Sequence, residues 1–144
     1  MQFKDFKSEM MTTIYHMKNA MQRVMGPIVQ KEGLTVIQIY ILHAIAEDNE
    51  ITVGNLSKCI GLNQGNVSTM CKNIEKLGLI KRTRNLEDER IVTLSLTLEG
   101  KKVVNKLHGK FEQFDEIFKD VPMEKLEIIS NGLKALDEVM KGVK

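Results

Sequence analysis

Tryptophan is absent from these 144 residues, proline and cysteine occur twice each, and aromatic residues make up only 5%. A core built here must therefore be aliphatic, and plentiful Ile, Leu, Val and Met can supply it. Cys59 and Cys71 form no C-x-x-C pair, which argues against a disulfide-stapled secreted scaffold and for a reducing, cytoplasmic setting. No apolar run approaches the roughly 20 residues that a membrane-spanning helix needs. The N-terminal MQFKDFKSEMM breaks its apolar residues with charges, so no signal peptide is expected. Charge of one sign is also scarce: 21 basic against 19 acidic residues leave a net +2, which excludes a non-specific polycation. H-E-x-x-H, G-x-S-x-G and a phosphate-binding glycine loop are all missing. Neither enzymatic activity nor a cofactor is expected, and no metal site is assigned.

What is present is helical periodicity. Phe3, Phe6, Met10, Ile14, Met17, Met21, Val24 and Ile28 recur at three- and four-residue steps, and Gly26-Pro27 is expected to end or kink that helix. After Gly33 a second apolar helix carries Leu34, Ile37, Ile41, Leu42 and Ile45. Two short helices follow. Thr52 can cap the first, which places Val53, Leu56 and Ile60 on one face and stops at Gly61. Asn63 can cap the second, whose inward stripe is Val67, Met70, Cys71, Ile74 and Leu77, with Gly78 as terminator. Two strand-like runs, Leu79 to Thr83 and Ile91 to Leu96, flank the charged loop Arg84 to Arg90. Helical spacing then returns with Val103, Val104, Leu107, Phe111, Phe114 and Phe118. Pro122 opens a last helix bearing Leu126, Ile129, Leu133, Leu136 and Met140. The fold class expected is mainly α: a winged helix-turn-helix lobe over residues 33–97. It is flanked by dimerisation helices over 1–32 and 98–144, together forming one domain.

Residues 52 to 96 read as helix, tight turn, helix and β-hairpin. Ser57, Gly61 and Val67 are spaced as a helix-turn-helix requires: a small side chain for close crossing, a left-handed turn and a core contact. Ordinary helical corners meet the same spacing, so the outward face of the second helix matters more. It presents Gln64, Gly65, Asn66, Ser68, Thr69, Lys72, Asn73 and Lys76, with no acid before Glu75. Such amides, hydroxyls and lysines read base edges in the major groove or touch phosphates, and acids there would be repelled by DNA. A merely solvated face would mix in several acids. Between Thr52 and Arg90, seven basic residues stand against four acidic ones, an excess of +3, whereas Glu99 to Lys144 sums to zero. With Arg82, Arg84 and Arg90 on the hairpin, the candidate DNA-binding set is Gln64, Asn66, Ser68, Thr69, Lys72, Asn73, Lys76, Arg82, Arg84 and Arg90. Asn and Gln pair best with adenine, so an AT-rich site is expected. The rival reading is a winged-helix protein-association module, since one fold hosts both roles.

Residues 33 to 100 resemble the multiple-antibiotic-resistance regulator (MarR) family of bacterial winged-helix regulators. The resemblance is carried by Gly33-Leu34-Thr35-x-x-Gln38-x-x-x-Leu42-x-x-Ile45, Thr52-Val53-x-x-Leu56-Ser57 and Ile60-Gly61-Leu62. It continues in Val67-Ser68, Ile74-Glu75-Lys76-Leu77-Gly78-Leu79-Ile80-Lys81-Arg82, Asp88-Glu89-Arg90 and Leu96-Thr97-x-x-Gly100. It implies a homodimer with intertwined first and last helices. It also implies that the helix from Gln64 to Lys76 enters the major groove of duplex DNA. The wing's Arg90, oriented by Asp88, would reach a minor groove. The function implied is that of a transcriptional regulator, a repressor at an inverted repeat, released by a small-molecule effector or stress signal. The family's ligand crevice would lie near Tyr15, His16, Arg23, Tyr40 and His43, although packing or surface placement explains each of them as well. Peroxide-sensing relatives carry a Cys near the first helix; none precedes Cys59 here, and Cys71 falls in the inward stripe. His108 and Glu112 lie one turn apart and His43 could join them, but zinc-sensing relatives place a second His where Glu112 stands.

Overall fold

The computed structural model describes residues 1–143, with the side chains of residues 113 and 114 outside the description. The assignment of Phe114 to an apolar stripe therefore lies outside the described residues. Eight elements follow in chain order: α1 (Phe3–Glu32), α2 (Val36–Glu47), α3 (Val53–Ile60), α4 (Gln64–Lys76), β1 (Ile80–Arg84), β2 (Val92–Leu96), α5 (Leu98–Phe118) and α6 (Met123–Lys141). The contacts divide the chain into two compact units, Met1–His108 and a second from Gly109 onward.

Local chemistry sets most boundaries in the first unit. Thr35 caps α2 by accepting from the Gln38 amide at 3.3 Å, while the Gln38 side chain accepts from the Thr35 amide at 3.0 Å. Thr52 caps α3 through the Asn55 amide at 3.0 Å, and Asn63 caps α4 through the Asn66 amide at 2.8 Å. Gly61 ends α3 at φ +74, a conformation costly for any residue with a Cβ. Of the end or kink expected at Gly26-Pro27, the end does not occur. α1 runs through Pro27 to Gly33, whose amide bonds the Val29 carbonyl at 3.0 Å. Proline inside a helix costs about 3 kcal/mol. Buried Met25 and Ile28 hold this turn against the rest of the unit and offset that cost.

The core of this unit is aliphatic. Ile41, Leu42, Ile45, Leu56, Val67, Cys71, Ile74 and Leu94 are fully buried, joined by Leu34, Ile39, Ile51, Val53, Ile80, Val104 and Leu107. Each large side chain so buried contributes about 1.5–3 kcal/mol. Leu77 departs from its expected place in the α4 stripe and is 53% exposed. It is the C-cap residue of α4, still in helical conformation with its amide on the Asn73 carbonyl at 3.3 Å, and the chain turns away only at Gly78, φ +76.

β1 and β2 form an antiparallel pair in the register Ile80–Leu96, Arg82–Leu94 and Arg84–Val92. In β2 only Leu94 is buried, while Val92, Thr93, Ser95 and Leu96 are half-buried. Thr52 bridges Thr93, and the Leu94 amide bonds the Ile51 carbonyl at 2.9 Å, so the hairpin is tied to the start of α3. In the second unit, the described residues of α6 include no buried side chain; Ile128, Ile129, Leu133, Val139 and Met140 are all exposed. No helix among the described residues is long and apolar enough to cross a membrane.

Candidate nucleic-acid interface

The α3–α4 corner is built from the spacing read in the sequence. Ser57 donates its hydroxyl to the Leu62 carbonyl at 2.9 Å, which clamps the turn, and Val67 is fully buried where α4 meets α3. With Val67, Cys71 and Ile74 anchoring one face, α4 turns Gln64, Asn66, Thr69, Lys72, Asn73 and Lys76 to solvent, and Ser68 is half-buried at the margin. The Asn66, Lys72, Asn73 and Lys76 side chains have no hydrogen bond or ion pair among the described residues, so their donors and acceptors are uncommitted. Thr69 is partly committed, since its hydroxyl donates to the Gly65 carbonyl at 3.1 Å. Gly54 of α3 leaves room for the Gln64 amide, whose nitrogen would sit 3.5 Å from a Cβ added there.

The wing tip is ordered by its own side chains. Asn85 accepts from the Glu87 amide at 2.8 Å and the Asp88 amide at 3.1 Å, forming an Asx turn. Asp88 holds Arg90 with both carboxylate oxygens, at 3.0 Å to Nε and 3.2 Å to Nη2, and also accepts from the Arg90 amide. The Arg90 hydrogen bonds hold the Asp88 carboxyl below its ordinary value of 3.8. Arg90 itself is 91% exposed. Arg84 donates to the Glu89 carbonyl at 3.1 Å and is exposed. Arg82 is placed differently from the other basic candidates. Its side chain is only 15% exposed and lies beside Glu75, which turns it away from an outward-facing role. Glu75 and Asn85 were not among the residues singled out from the sequence. Asn at the head of a charged loop was the available signal for the Asx turn; Glu75 stood out only as the first acid on α4.

The remaining candidates lie on other elements, α1 and α2. Tyr15 and His16 are exposed on α1, with ring centroids 6.3 Å apart, and Arg23 lines a shallow hollow with Asn19 and Gln22. On α2, Tyr40 is exposed, and His43 meets His108 edge to face at 5.7 Å. No cluster of three or more His, Cys, Asp or Glu placed to hold a metal occurs among the described residues. The buried Cys71 thiol is pushed up to about 11, chiefly by desolvation, partly opposed by the Arg82 charge and supported by that of Glu75. Such a thiol stays protonated and unreactive at neutral pH. Cys59 is exposed.

Residues 23–107 match the family model described as transcriptional regulator SarA/Rot. The HTH-type transcriptional regulator SarZ of Staphylococcus haemolyticus is 28% identical over 106 residues, 74% of this chain and 71% of that protein. SarZ of Staphylococcus epidermidis is 33% identical over 79 residues, 55% of this chain and 53% of that protein. YdcH of Bacillus subtilis, an HTH-type transcriptional regulator, is 32% identical over 124 residues, 83% of this chain and 82% of that protein. Among solved structures, a mutant MarR from Escherichia coli complexed with operator DNA superposes with a TM-score of 0.75 at 20% identity. The match covers 94% of this chain and 99% of that one. These relatives are named as regulators rather than enzymes, and the family match takes in more than half of the sequence together with the whole α3–α4–wing surface. The chain belongs to the SarA/Rot family of transcriptional regulators and carries the MarR-type winged helix.

Proposed function

We propose that this DNA-binding regulator reads an AT-rich inverted repeat as a cytoplasmic homodimer and represses transcription until a small-molecule effector or stress signal releases it. The observation that carries this reading is the outward face of α4. Exposed amides and lysines with uncommitted hydrogen-bonding groups stand on a helix anchored through Val67, Cys71 and Ile74, beside a wing that presents Arg84 and Arg90. That arrangement suits base edges in a major groove with phosphates alongside. Selecting duplexes from a randomised pool with the purified protein tests it. A symmetric site with half-sites about one DNA turn apart is expected. Failure to enrich any sequence, with no salt dependence of binding, would reject it.

The dimer rests on apolar surface. Phe3, Phe6, Ile14, Met17 and Met21 of α1 are exposed, as are Ile129, Leu133 and Met140 of α6. Contiguous apolar helix faces of this kind mark association sites. Sedimentation should show a dimer at micromolar concentration, and a stable monomer there would remove the basis for an inverted repeat.

Within this reading the helices at 1–32 and 98–144 join copies, the lobe at 33–97 meets DNA, and Tyr15, His16, Arg23, Tyr40 and His43 surround the effector. The wing makes a separate expectation. At its tip, Arg84 and Arg90 oppose Glu87, Asp88 and Glu89, a sum of −1, and Arg90→Ala makes it −2. The variant should bind both the selected duplex and scrambled DNA more weakly, with the salt slope reduced by about one. Folding should hardly change, because an exposed ion pair is worth little. Asp88 has a lowered folded value, so its bond to Arg90 is fully formed above the ordinary carboxylate range and lost only as pH falls through that lowered value. Binding between pH 5 and 8 should therefore show no step from Asp88. A variant that unfolds, while its folded fraction binds DNA normally, would make Arg90 structural.

A further inference from the structure

The two-stranded wing is held at both of its edges at the same level. In the Arg82–Leu94 pair of the β1–β2 register, neither amide bonds across the hairpin. The Leu94 amide turns outward to the Ile51 carbonyl at 2.9 Å, and the Arg82 amide turns outward to Glu75 Oε2 at 3.0 Å. The other Glu75 oxygen, Oε1, stands 3.5 Å from Arg82 Nε. That nitrogen is buried with no hydrogen bond of its own, so the carboxylate's charge is what compensates it. Glu75 is also the only acid on α4. One side chain thus supplies the missing neighbour to an edge strand, pairs a half-buried guanidinium, and joins the helix that faces outward to the hairpin that bears Arg84 and Arg90.

We propose that Glu75 and Arg82 are positioning residues for DNA recognition: their pairing sets the wing against α4 so that both elements meet a duplex in register, without either side chain touching it. The inference rests on the DNA reading above and adds to it a determinant of specificity that lies off the contact surface. Two elements that must dock in adjacent grooves have to be held at one mutual angle, and a carboxylate that accepts from the strand backbone fixes strand height as well as charge. Purely as a charge, Glu75 would oppose any DNA at all. The sign of its effect therefore separates the two roles.

The test uses the full chain, with the duplex that the wild type enriches from a randomised pool and a scrambled duplex of equal composition. Glu75→Gln keeps an acceptor for the Arg82 amide and loses the charge. It should lower affinity for the enriched duplex about tenfold, the size of one lost base-pair discrimination, while scrambled binding stays level or rises. Glu75→Ala, lacking the acceptor too, should lose more. Arg82→Lys, which keeps a charge for Glu75, should retain more selectivity than Arg82→Gln. Thermal midpoints and sedimentation are measured on every variant, and affinities are taken per folded dimer well below the midpoint. Equal tightening on both duplexes by Glu75→Gln would show that Glu75 is only a repelling charge. Equal weakening on both, in step with a lowered thermal midpoint, would show that the pair only holds the fold. Either result overturns the proposal. Failure of the wild type itself to enrich a duplex would overturn the DNA reading and this role with it, and is recognised before any variant is made.

Discussion

Gly100→Ala is expected to be the most damaging single methyl that can be added to this chain. Gly100 is buried in the first turn of α5, and a Cβ there would fall on the carbonyl oxygen of Leu79. The close approach is fixed from several sides. The Thr97 amide bonds that same Leu79 carbonyl at 3.0 Å, the Thr97 hydroxyl donates to the Gly78 carbonyl at 2.6 Å, and the Gly100 amide donates to the Thr97 hydroxyl oxygen at 3.0 Å. Helix start and wing base are thus one hydrogen-bonded knot, and relief of the clash must break part of it. Backbone meets backbone here, so no side chain can swing aside. A loss of about 3 kcal/mol is expected, at the upper end for overpacking. It should appear as a fall of roughly 10 °C in the thermal midpoint of a chain this size. Gly54→Ala serves as the contrast. An added Cβ there, within α3, meets Gln64 of α4 and Thr52 at 3.5 and 3.8 Å, ordinary contacts. That change should be neutral or stabilise by roughly 0.5–1 kcal/mol. Equal midpoints for the two variants would mean that the α5 start is free to shift, and that Leu-Thr-x-x-Gly is no knot.

The elements legible in the sequence were those whose cause is local. Thr52 and Asn63 sit beside the amides they cap, and Gly61 and Gly78 supply positive φ at the turns they make, so residue type and position alone disclosed them. The inward stripe of α4 was legible because three of its members, Val67, Cys71 and Ile74, obey one helical period. Where tertiary packing overrode a local preference, the reading failed. Pro27 argued for an end or a kink in α1, and buried Met25 and Ile28 carry the helix past it without an end. Leu77 looked like a core residue by spacing, yet at the C-cap of α4 it is exposed.

The surface shows the same divide. Which residues of α4 point outward follows from the stripe that points in, and Arg90 at the hairpin end follows from the length of the loop. The place of Arg82 does not. In sequence it is one more cation in a basic stretch, and only the fold brings Glu75 against both its amide and its guanidinium. Contacts between an edge strand and the helix that precedes it depend on how far α4 turns before β1 begins, and no spacing rule encodes that angle. That His43 could join His108 was open to the sequence, but their edge-to-face contact between α2 and α5 is set by the fold.

Asn66→Ala should strip sequence preference from the protein while leaving its general affinity for DNA. Asn66 lies in the first turn of α4, exposed, and its amide nitrogen on the backbone is already satisfied by the Asn63 cap at 2.8 Å. The side-chain carboxamide has no partner among the described residues, so it can offer one donor and one acceptor together. That pairing matches the N6 and N7 edge of adenine in the major groove. Lysines alone would not discriminate in this way, because Lys72 and Lys76 are free to bind any phosphate. Removing the carboxamide should cost about 1–3 kcal/mol on the enriched duplex, or roughly five- to 150-fold in affinity. Scrambled DNA should be bound as before, with an unchanged salt slope, since no charge is lost. The thermal midpoint should move little. Asn66 is neither the cap nor part of the buried stripe, and Ala is a better helix former than Asn by a few tenths of a kcal/mol. Lys72→Ala supplies the opposite pattern, weakening both duplexes alike and flattening the salt slope. If Asn66→Ala instead weakens both duplexes by the same factor, the first turn of α4 does not read bases, and discrimination must come from the wing or from the shape of the DNA.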